Sequence, residues 1–336
     1  MGHSSGITVL PLFLTDDDIN QLADWQPAID AIRHAYSAEV DEKRNPGRIF
    51  AQSEVEWERI MPAIPATGET FGYKSIVGSF DSGLTVSYLI ALFDKKTAAL
   101  VALLDGNRVT GLRTAATTAV GASLITPSRN LSVGIIGSGF EARSHLEALS
   151  TICELGEISV FSPTQSNREK FATDFSGAVG TSVRASNSAQ EAVEGCDLVL
   201  CAARSADETP TVQSDWIAPG TAVISIGSTT PAQRELPIDL IERADLIVVD
   251  TFDEVVHGSG DMLVASREGI DVESRVVTLS EALRDEKFSF DEGAIRIYKS
   301  TGAGLQDIVV GEMLYQLARE REIGTTIPVG IVTSKK

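Results

Sequence analysis

The stretch LSVGIIGSGFEARSHLEAL, residues 131–149, decides the fold. An apolar run carrying Val133, Ile135 and Ile136 enters a glycine turn, Gly137-Ser138-Gly139. Helical spacing follows, with Ala142, Leu146 and Leu149 on one side. Strand, tight turn and helix form the context that makes G-x-G-x-x-A a dinucleotide-binding pattern. Gly137 permits the sharp turn, Gly139 lets a pyrophosphate approach the backbone, and Ala142 is small enough for close helix–strand packing. The helix N-terminus then offers free N–H groups and the positive end of a dipole to phosphate. Ser138, Phe140 and Glu141 complete the cofactor contacts expected at this turn. A glycine turn in some other α/β protein is the competing reading of the motif alone.

Outward from this turn, short β-rich runs alternate with helical stretches over residues 131–250. The expected strands are 132–136, 157–161, 181–185, 197–202, 221–226 and 245–250, with helices near 140–151, 166–175, 188–194 and 237–242. Such alternation builds a parallel sheet with helices on both faces, whose ligands bind at the carboxyl ends of the strands. The residues to inspect therefore follow each strand: Gly137–Ala142, Ser162–Arg168, Ala203–Ser205, Gly227–Thr230 and Thr251–Glu254. The first ~105 residues read differently. Thr15 followed by three aspartates starts a helix, and a second is expected over 27–41. β-rich runs at 70–80, 84–94 and 98–104 have the spacing of a mainly antiparallel sheet. A small-residue helix is expected over 107–126, and the 305–322 segment is again helical and returns to the first domain.

Composition narrows the function. The 336 residues are 43% hydrophobic and 22% charged, ordinary for a globular protein. With 28 basic and 47 acidic side chains the net charge is −19, which repels nucleic acid and anionic membrane. An anionic ligand must then be drawn in by local cations. No apolar run approaches the ~20 residues of a membrane span, and LPLFL at 10–14 lacks the basic start of a secretory signal. Cys153, Cys196 and Cys201 have no metal-ligand spacing, and His3, His34, His145 and His257 form no H-E-x-x-H. A cytoplasmic protein without a metal site is expected. MGHSSG, residues 1–6, is set aside from the fold reasoning.

The second strand of the dinucleotide unit chooses the cofactor. An NAD enzyme commonly places Asp or Glu at its end, ~20 residues past the glycines, to bond the ribose 2′-OH. Here the strand runs into Ser162-Pro163-Thr164-Gln165-Ser166-Asn167-Arg168, without a carboxylate. Ser162, Thr164, Asn167 and Arg168 suit a 2′-phosphate, so NADPH is expected and NADH disfavoured. The alternative is that Arg168 only starts a solvated helix.

Six segments in order, FGYKSI (71–76), GLRTAATTAV (111–120), IIGSGFEAR (135–143), SIGSTTPAQREL (225–236), GSGDML (258–263) and KSTGAGLQD (299–307), carry a family likeness spanning roughly residues 44–310. The chain resembles the ornithine cyclodeaminase/mu-crystallin family. The resemblance implies an NAD(P)-dependent enzyme of amino or imino acids. Its fold would be α/β, a Rossmann-type doubly wound parallel sheet plus a second α+β domain. That second domain, 1–125 with 308–336, would bind substrate and dimerise, and 126–307 would bind NAD(P). It also implies that Arg48, Lys74 and Arg113 surround the substrate carboxylate, a task to which guanidinium groups are suited. Thr114, Ala203 and Ser228 join the expected cofactor contacts. The competing readings are surface charges for the two arginines and an edge-strand position for Lys74.

The family's cyclodeaminases carry an aspartate after the fifth strand that binds and polarises the reacting amine. Ser228 stands at the matching position, as in the reductase-type members. A serine hydroxyl can bond an imine or orient a water but is no carboxylate base; a plain turn residue is the alternative. Asp307, in the glycine turn before the last helix, is expected either near the nicotinamide and substrate nitrogen or as a first-turn residue favoured by the helix dipole. Asp261 is expected to be structural. The catalytic set is thus Lys74, Ser228 and Asp307. The function expected is reduction of a ketimine or cyclic imine, such as pyrroline- or piperideine-2-carboxylate, by a homodimer that binds a small imino or amino acid. The rivals are an ornithine or lysine cyclodeaminase, an amino-acid dehydrogenase such as alanine dehydrogenase, and a catalytically weak NADP-binding crystallin-like protein. Residues such as Met61, Ser87 and Val255 are candidates for shaping the side-chain pocket.

Overall fold

The computed structural model describes residues 9–127, 130–203 and 209–334. Ser205, His3 and the MGHSSG segment lie outside them. The chain divides into two compact units: residues 1–114 with 303–336, and 115–302. The boundaries expected at 125 and 307 fall at 114 and 302. The physical reason lies in the helix Gly106–Ile125, whose second half belongs with the second unit. There Thr118 bonds His145 at 3.0 Å, and Gly121 is packed on the Tyr298 ring. The Gln306-Asp307 pair consequently belongs to the first unit.

In the first unit, Thr15 and Asp18 form a reciprocal capping box on the helix Asp16–Leu22, and Asp24 caps Trp25–Tyr36. That second helix buries Ala28, Ile29, Ile32, Ala35 and Tyr36, an i, i+3/i+4 stripe. It ends five residues before the expected limit, because Glu39 is exposed where the stripe would continue. Six strands follow the sequence: β1 (Leu12–Leu14), β2 (Ile49–Gln52), β3 (Glu56–Ala63), β4 (Thr70–Ser79), β5 (Thr85–Asp94) and β6 (Leu100–Asp105). β2 to β6 form an antiparallel meander. β1 lies parallel to β6, and Thr325–Thr326 adds an antiparallel edge. Alternation along β4 buries Thr70, Gly72, Lys74 and Ile76 on one face. The C-terminal helix Gly304–Arg321 packs on β3, β4 and β5. A Cβ at Gly304 would lie 2.5 Å from the Met61 carbonyl oxygen, so only glycine lets the helix start this close to β3.

The second unit is an eight-stranded, wholly parallel sheet. Its strands are β7 (Leu131–Ile136), β8 (Leu155–Phe161), β9 (Val183–Ala185), β10 (Leu198–Cys201), β11 (Ala222–Ser225), β12 (Leu246–Val249), β13 (Val276–Thr278) and β14 (Arg296–Lys299). Their order is β13-β12-β14-β11-β10-β7-β8-β9. The expected six strands are all present, and β14 enters between β11 and β12. Helices Phe140–Ser150, Gln165–Phe175, Ala189–Val193 and Ile238–Arg243 fall near the expected places. This is the Rossmann-type α/β architecture anticipated from the glycine turn. Among the described residues no helix is long and apolar enough to cross a membrane, and no cluster could hold a metal ion.

Candidate active site

In the first unit, three elements deliver charge to one buried point. Lys74 projects from the inner face of β4, Arg113 comes from the helix that follows β6, and Asp307 from the first turn of the C-terminal helix. Lys74 Nζ lies 2.9 Å and Arg113 Nε 3.1 Å from the same oxygen, Asp307 Oδ1. Lys74 also donates to Thr110 Oγ1 at 2.6 Å and stands 5.4 Å from the centre of the Tyr88 ring. Arg113 Nη1 donates to Gln306 Oε1 at 2.7 Å, and Gln306 Nε2 donates to the Tyr36 hydroxyl at 3.0 Å. Asp307 is fully buried, and its Oδ2 has no hydrogen-bond partner among the described residues.

The cluster carries more positive than negative charge. Burial pushes the Lys74 ammonium down to about 8; Asp307 opposes the shift, while Arg113 and Arg48 add to it by repulsion. Arg48 is thus within electrostatic reach of Lys74, ahead of β2 and half-buried. All four residues inferred for the substrate end are assembled in one unit. Thr110, Gln306, Tyr36 and Tyr88 were not anticipated. Adjacency gave a signal for two of them: Thr110 precedes Arg113 by one helical turn, and Gln306 precedes Asp307 directly. Met61 is buried beneath this cluster's helix, Ser87 is exposed, and Val255 is a core residue of the second unit rather than a pocket residue.

In the second unit, the turn after β7 meets the requirements of a pyrophosphate. Gly137 has φ +114°, a conformation that favours glycine, and a Cβ there would meet the Ala202 carbonyl oxygen at 2.6 Å. A Cβ at Gly139 would meet nothing within 4 Å, so its open side is where a ligand can approach the backbone. Gly139 caps the helix Phe140–Ser150 without a side-chain bond, leaving first-turn N–H groups for an anion. A dinucleotide fits this cradle. Phe140 is exposed, Glu141 half-buried and Ala142 buried in the helix packing. Ser138 Oγ donates to Ser162 Oγ at 2.8 Å, joining the turn to the end of β8. Arg168 donates from Nη1 to the Ser162 carbonyl at 3.0 Å and lies 5.5 Å from the Phe161 ring centre, held at that strand end. Thr164 caps the helix Gln165–Phe175, with Asn167 exposed in its first turn. Thr114 belongs to the first unit and donates to the Thr110 carbonyl; Ala203 donates its N–H to Glu235 Oε1 at 3.2 Å.

Ser228 is fully buried just past the end of β11, and its hydroxyl donates to the Gln233 carbonyl within its own loop. Asp261 is structural, as expected: its Oδ1 accepts the N–H groups of Glu235 and Leu236 at 2.8 and 2.9 Å.

The sequence model of the ornithine cyclodeaminase/mu-crystallin family matches residues 11–322. The chain belongs to that family. It is 28% identical to an alanine dehydrogenase of Archaeoglobus fulgidus over 94% of this chain and 98% of the relative. It is 30% identical to the ketimine reductase mu-crystallin of Rattus norvegicus over 67% of this chain and 68% of the relative. Among solved structures, the Δ1-pyrroline-2-carboxylate reductase of Thermococcus litoralis, in complex with NADH and L-proline, superposes with a TM-score of 0.86. That pair is 27% identical, with 94% of this chain and all of the other covered. Membership makes this chain a nicotinamide-dependent oxidoreductase of carbon–nitrogen bonds.

Proposed function

We propose that this enzyme reduces 2-imino acids to amino acids, with NADPH preferred over NADH. The observation that carries the reading is the composition of the first unit's cluster. Lys74, Arg113 and Arg48 supply an excess of positive charge, and Asp307 Oδ2 is buried without a donor. A carboxylate answers the cations and an N–H answers the orphaned oxygen; a 2-imino acid protonated on nitrogen to the iminium presents both, carried by the same carbon. Names among the relatives, a ketimine reductase and a pyrroline-2-carboxylate reductase, support the same class.

The cations bind and orient the substrate carboxylate, at low entropic cost because Arg113 is already fixed by Gln306 and Asp307. Asp307 holds the imine nitrogen through its free oxygen. Lys74, protonated at neutral pH, delivers the proton that the nitrogen gains. When bound, the nicotinamide supplies the hydride that the C=N carbon gains. The backbone of Gly137–Ala142 would hold the pyrophosphate, and Arg168 with Ser162 the ribose 2′-phosphate. The NADPH preference rests on this chain's own β8 end, since the Thermococcus litoralis structure contains NADH.

Cyclic imines such as pyrroline- or piperideine-2-carboxylate are the favoured substrates, and open-chain ketimines the next. The 28% identity to an alanine dehydrogenase over 94% of the chain favours a second reading, reductive amination of a keto acid. Loss of NADPH absorbance with pyrroline-2-carboxylate is expected, with weak consumption by pyruvate plus ammonia. Ornithine with catalytic NADP⁺ should give no proline, because position 228 carries a buried serine. Robust proline formation from ornithine would overturn the assignment.

The working form in this reading is a homodimer. Ile49, Phe50, Val77, Leu84 and Leu89, on strands β2 to β5 and the β4–β5 turn, expose apolar surface that a monomer seldom leaves open. Light scattering giving 35.8 kDa at micromolar concentration would contradict it.

A further inference from the structure

Three fully buried charged residues of the second unit, Glu235, Asp261 and Lys299, take no part in the reaction described above. Burying charge is costly, and an apolar cluster would hold the sheet as well. The geometry of Glu235 shows what it gathers. Its Oε2 accepts the N–H groups of Gly227 at 2.9 Å and Ser228 at 3.3 Å, and the Ser225 hydroxyl at 2.6 Å. Its Oε1 accepts the Ala203 N–H at 3.2 Å. Gly227 and Ser228 follow β11, and Ala203 follows β10. One carboxylate therefore ties together the loops at the carboxyl ends of two adjacent strands, the edge where such sheets bind ligands. The loop after β10 also abuts the glycine turn through the Ala202 carbonyl beside Gly137.

Lys299, from β14, balances the arrangement. Its Nζ donates to Ser225 Oγ at 2.8 Å and to the Ser228 carbonyl at 2.7 Å, and pairs with Asp261 at 2.9 Å. We infer that Glu235 is a positioning residue for the dinucleotide, presetting the β10 and β11 loops against which the cofactor binds. The inference rests on the dinucleotide reading of the glycine turn.

Burial pushes the Glu235 carboxyl up to about 7; Lys299 and Ser225 oppose the shift and Asp261 adds to it. Cys201, from β10, faces the same carboxylate and stays a thiol, its own value pushed well up by burial. Protonation turns one acceptor oxygen into a donor facing N–H groups, so a tie is lost as pH falls through about 7. Glu235→Gln imposes the same loss at every pH while leaving Lys299 paired with Asp261.

The test measures NADH affinity by fluorescence at pH 8.5 and 6.0, together with melting temperature; NADH lacks a 2′-phosphate that would itself titrate. Wild type should bind about tenfold more weakly at pH 6.0. Glu235→Gln should match the low-pH wild-type value at both pH values, with a melting temperature near that of wild type. Equal affinity of the folded variant and wild type at pH 8.5 would overturn the inference alone. Absence of NADH and NADPH binding by wild type would overturn the dinucleotide reading and the inference with it. Should the glutamine variant not fold, Ser225→Ala decides. Removing that hydroxyl raises the carboxyl further, so the midpoint of the pH dependence should move up, and an unmoved midpoint overturns the inference.

Discussion

Each unit of this protein buries a lysine beside carboxylates, and the two clusters end differently. In the first unit Lys74 and Arg113 share a single oxygen of Asp307, the other oxygen has no partner, and cations outnumber carboxylates. In the second, Lys299 faces Asp261 and Glu235, and the Glu235 oxygens are filled by a hydroxyl and three backbone N–H groups. In the proposed function a ligand with a carboxylate and an N–H completes the first cluster. The second is paired internally, through Lys299 with Asp261 and through the four ties of Glu235. Its charges shape loops. Burial acts in opposite directions on the two: the Lys74 ammonium moves down to about 8, and the Glu235 carboxyl up to about 7.

The sharpest way to break this contrast is Lys74→Ala. Loss of one cation from the first cluster should lower kcat/KM by at least a hundredfold, about 2.7 kcal/mol. Dinucleotide affinity, a property of the other unit, should stay nearly unchanged. Near-normal turnover would remove lysine from the mechanism. Asp307→Asn comes next, with a fall of about thirtyfold from loss of a charge-assisted bond to the substrate nitrogen. It also has a signature in pH. Reduction needs Lys74 protonated, so kcat/KM should decline as pH rises through about 8. Asp307 is what raises that value, by charge and by hydrogen bond, so its removal should bring the decline to lower pH. An unmoved pH profile would separate Lys74 from the proton transfer.

Arg168→Ala should weaken NADPH binding about tenfold and leave NADH within about twofold, the difference being one charge-assisted contact to the 2′-phosphate. Equal losses for the two cofactors would break the assignment of β8's end. The smallest effect belongs to an exposed counterpart of the two buried clusters. His257 lies 3.2 Å from both Asp253 and Glu273 on the surface, and Glu273, ahead of Asp253, raises its value above the ordinary one. A raised value means that its contribution to stability is present at acid pH, below the unfolded value. It is lost as pH rises through the folded value. Solvent screening makes it small: His257→Ala should change Tm by no more than about 1–2 °C at pH 5.5, and by less at pH 8.

The parallel sheet was legible where its strands are apolar. β7, β10, β11 and β12 are buried nearly throughout and read as short runs of Val, Ile and Leu. β14 escaped because two of its four residues are cations that occur buried only when paired. Arg296 satisfies that condition by donating to the Gly220 carbonyl at 2.5 Å and stacking on Phe290 at 4.6 Å; Lys299 does so through Asp261. Gly220 and Asp261 come from distant sequence, so no local pattern announces them. β2 and β3 were missed for a related reason: Glu56, Glu58 and Arg59 sit on a half-exposed sheet, and their alternation with Trp57 and Met61 was the only signal. At the candidate active site, the identity of Lys74, Arg113 and Asp307 came from motif resemblance. Their convergence on one oxygen belongs to tertiary structure alone. Glu235 lay inside a quoted motif, yet its role depends on Ala203 and Lys299, brought near by strand order.

The return of residues 303–336 to the first unit has a consequence for biosynthesis. Residues 115–302 are contiguous and can fold as they leave the ribosome. The first unit emerges earlier but lacks the helix that covers β3 to β5, and with it Gln306 and Asp307. At typical rates of elongation it waits on the order of 10–40 s for them. Nascent chains should therefore acquire a protease-resistant second unit before their N-terminal portion is protected, and gain activity only after the helix Gly304–Arg321 has emerged.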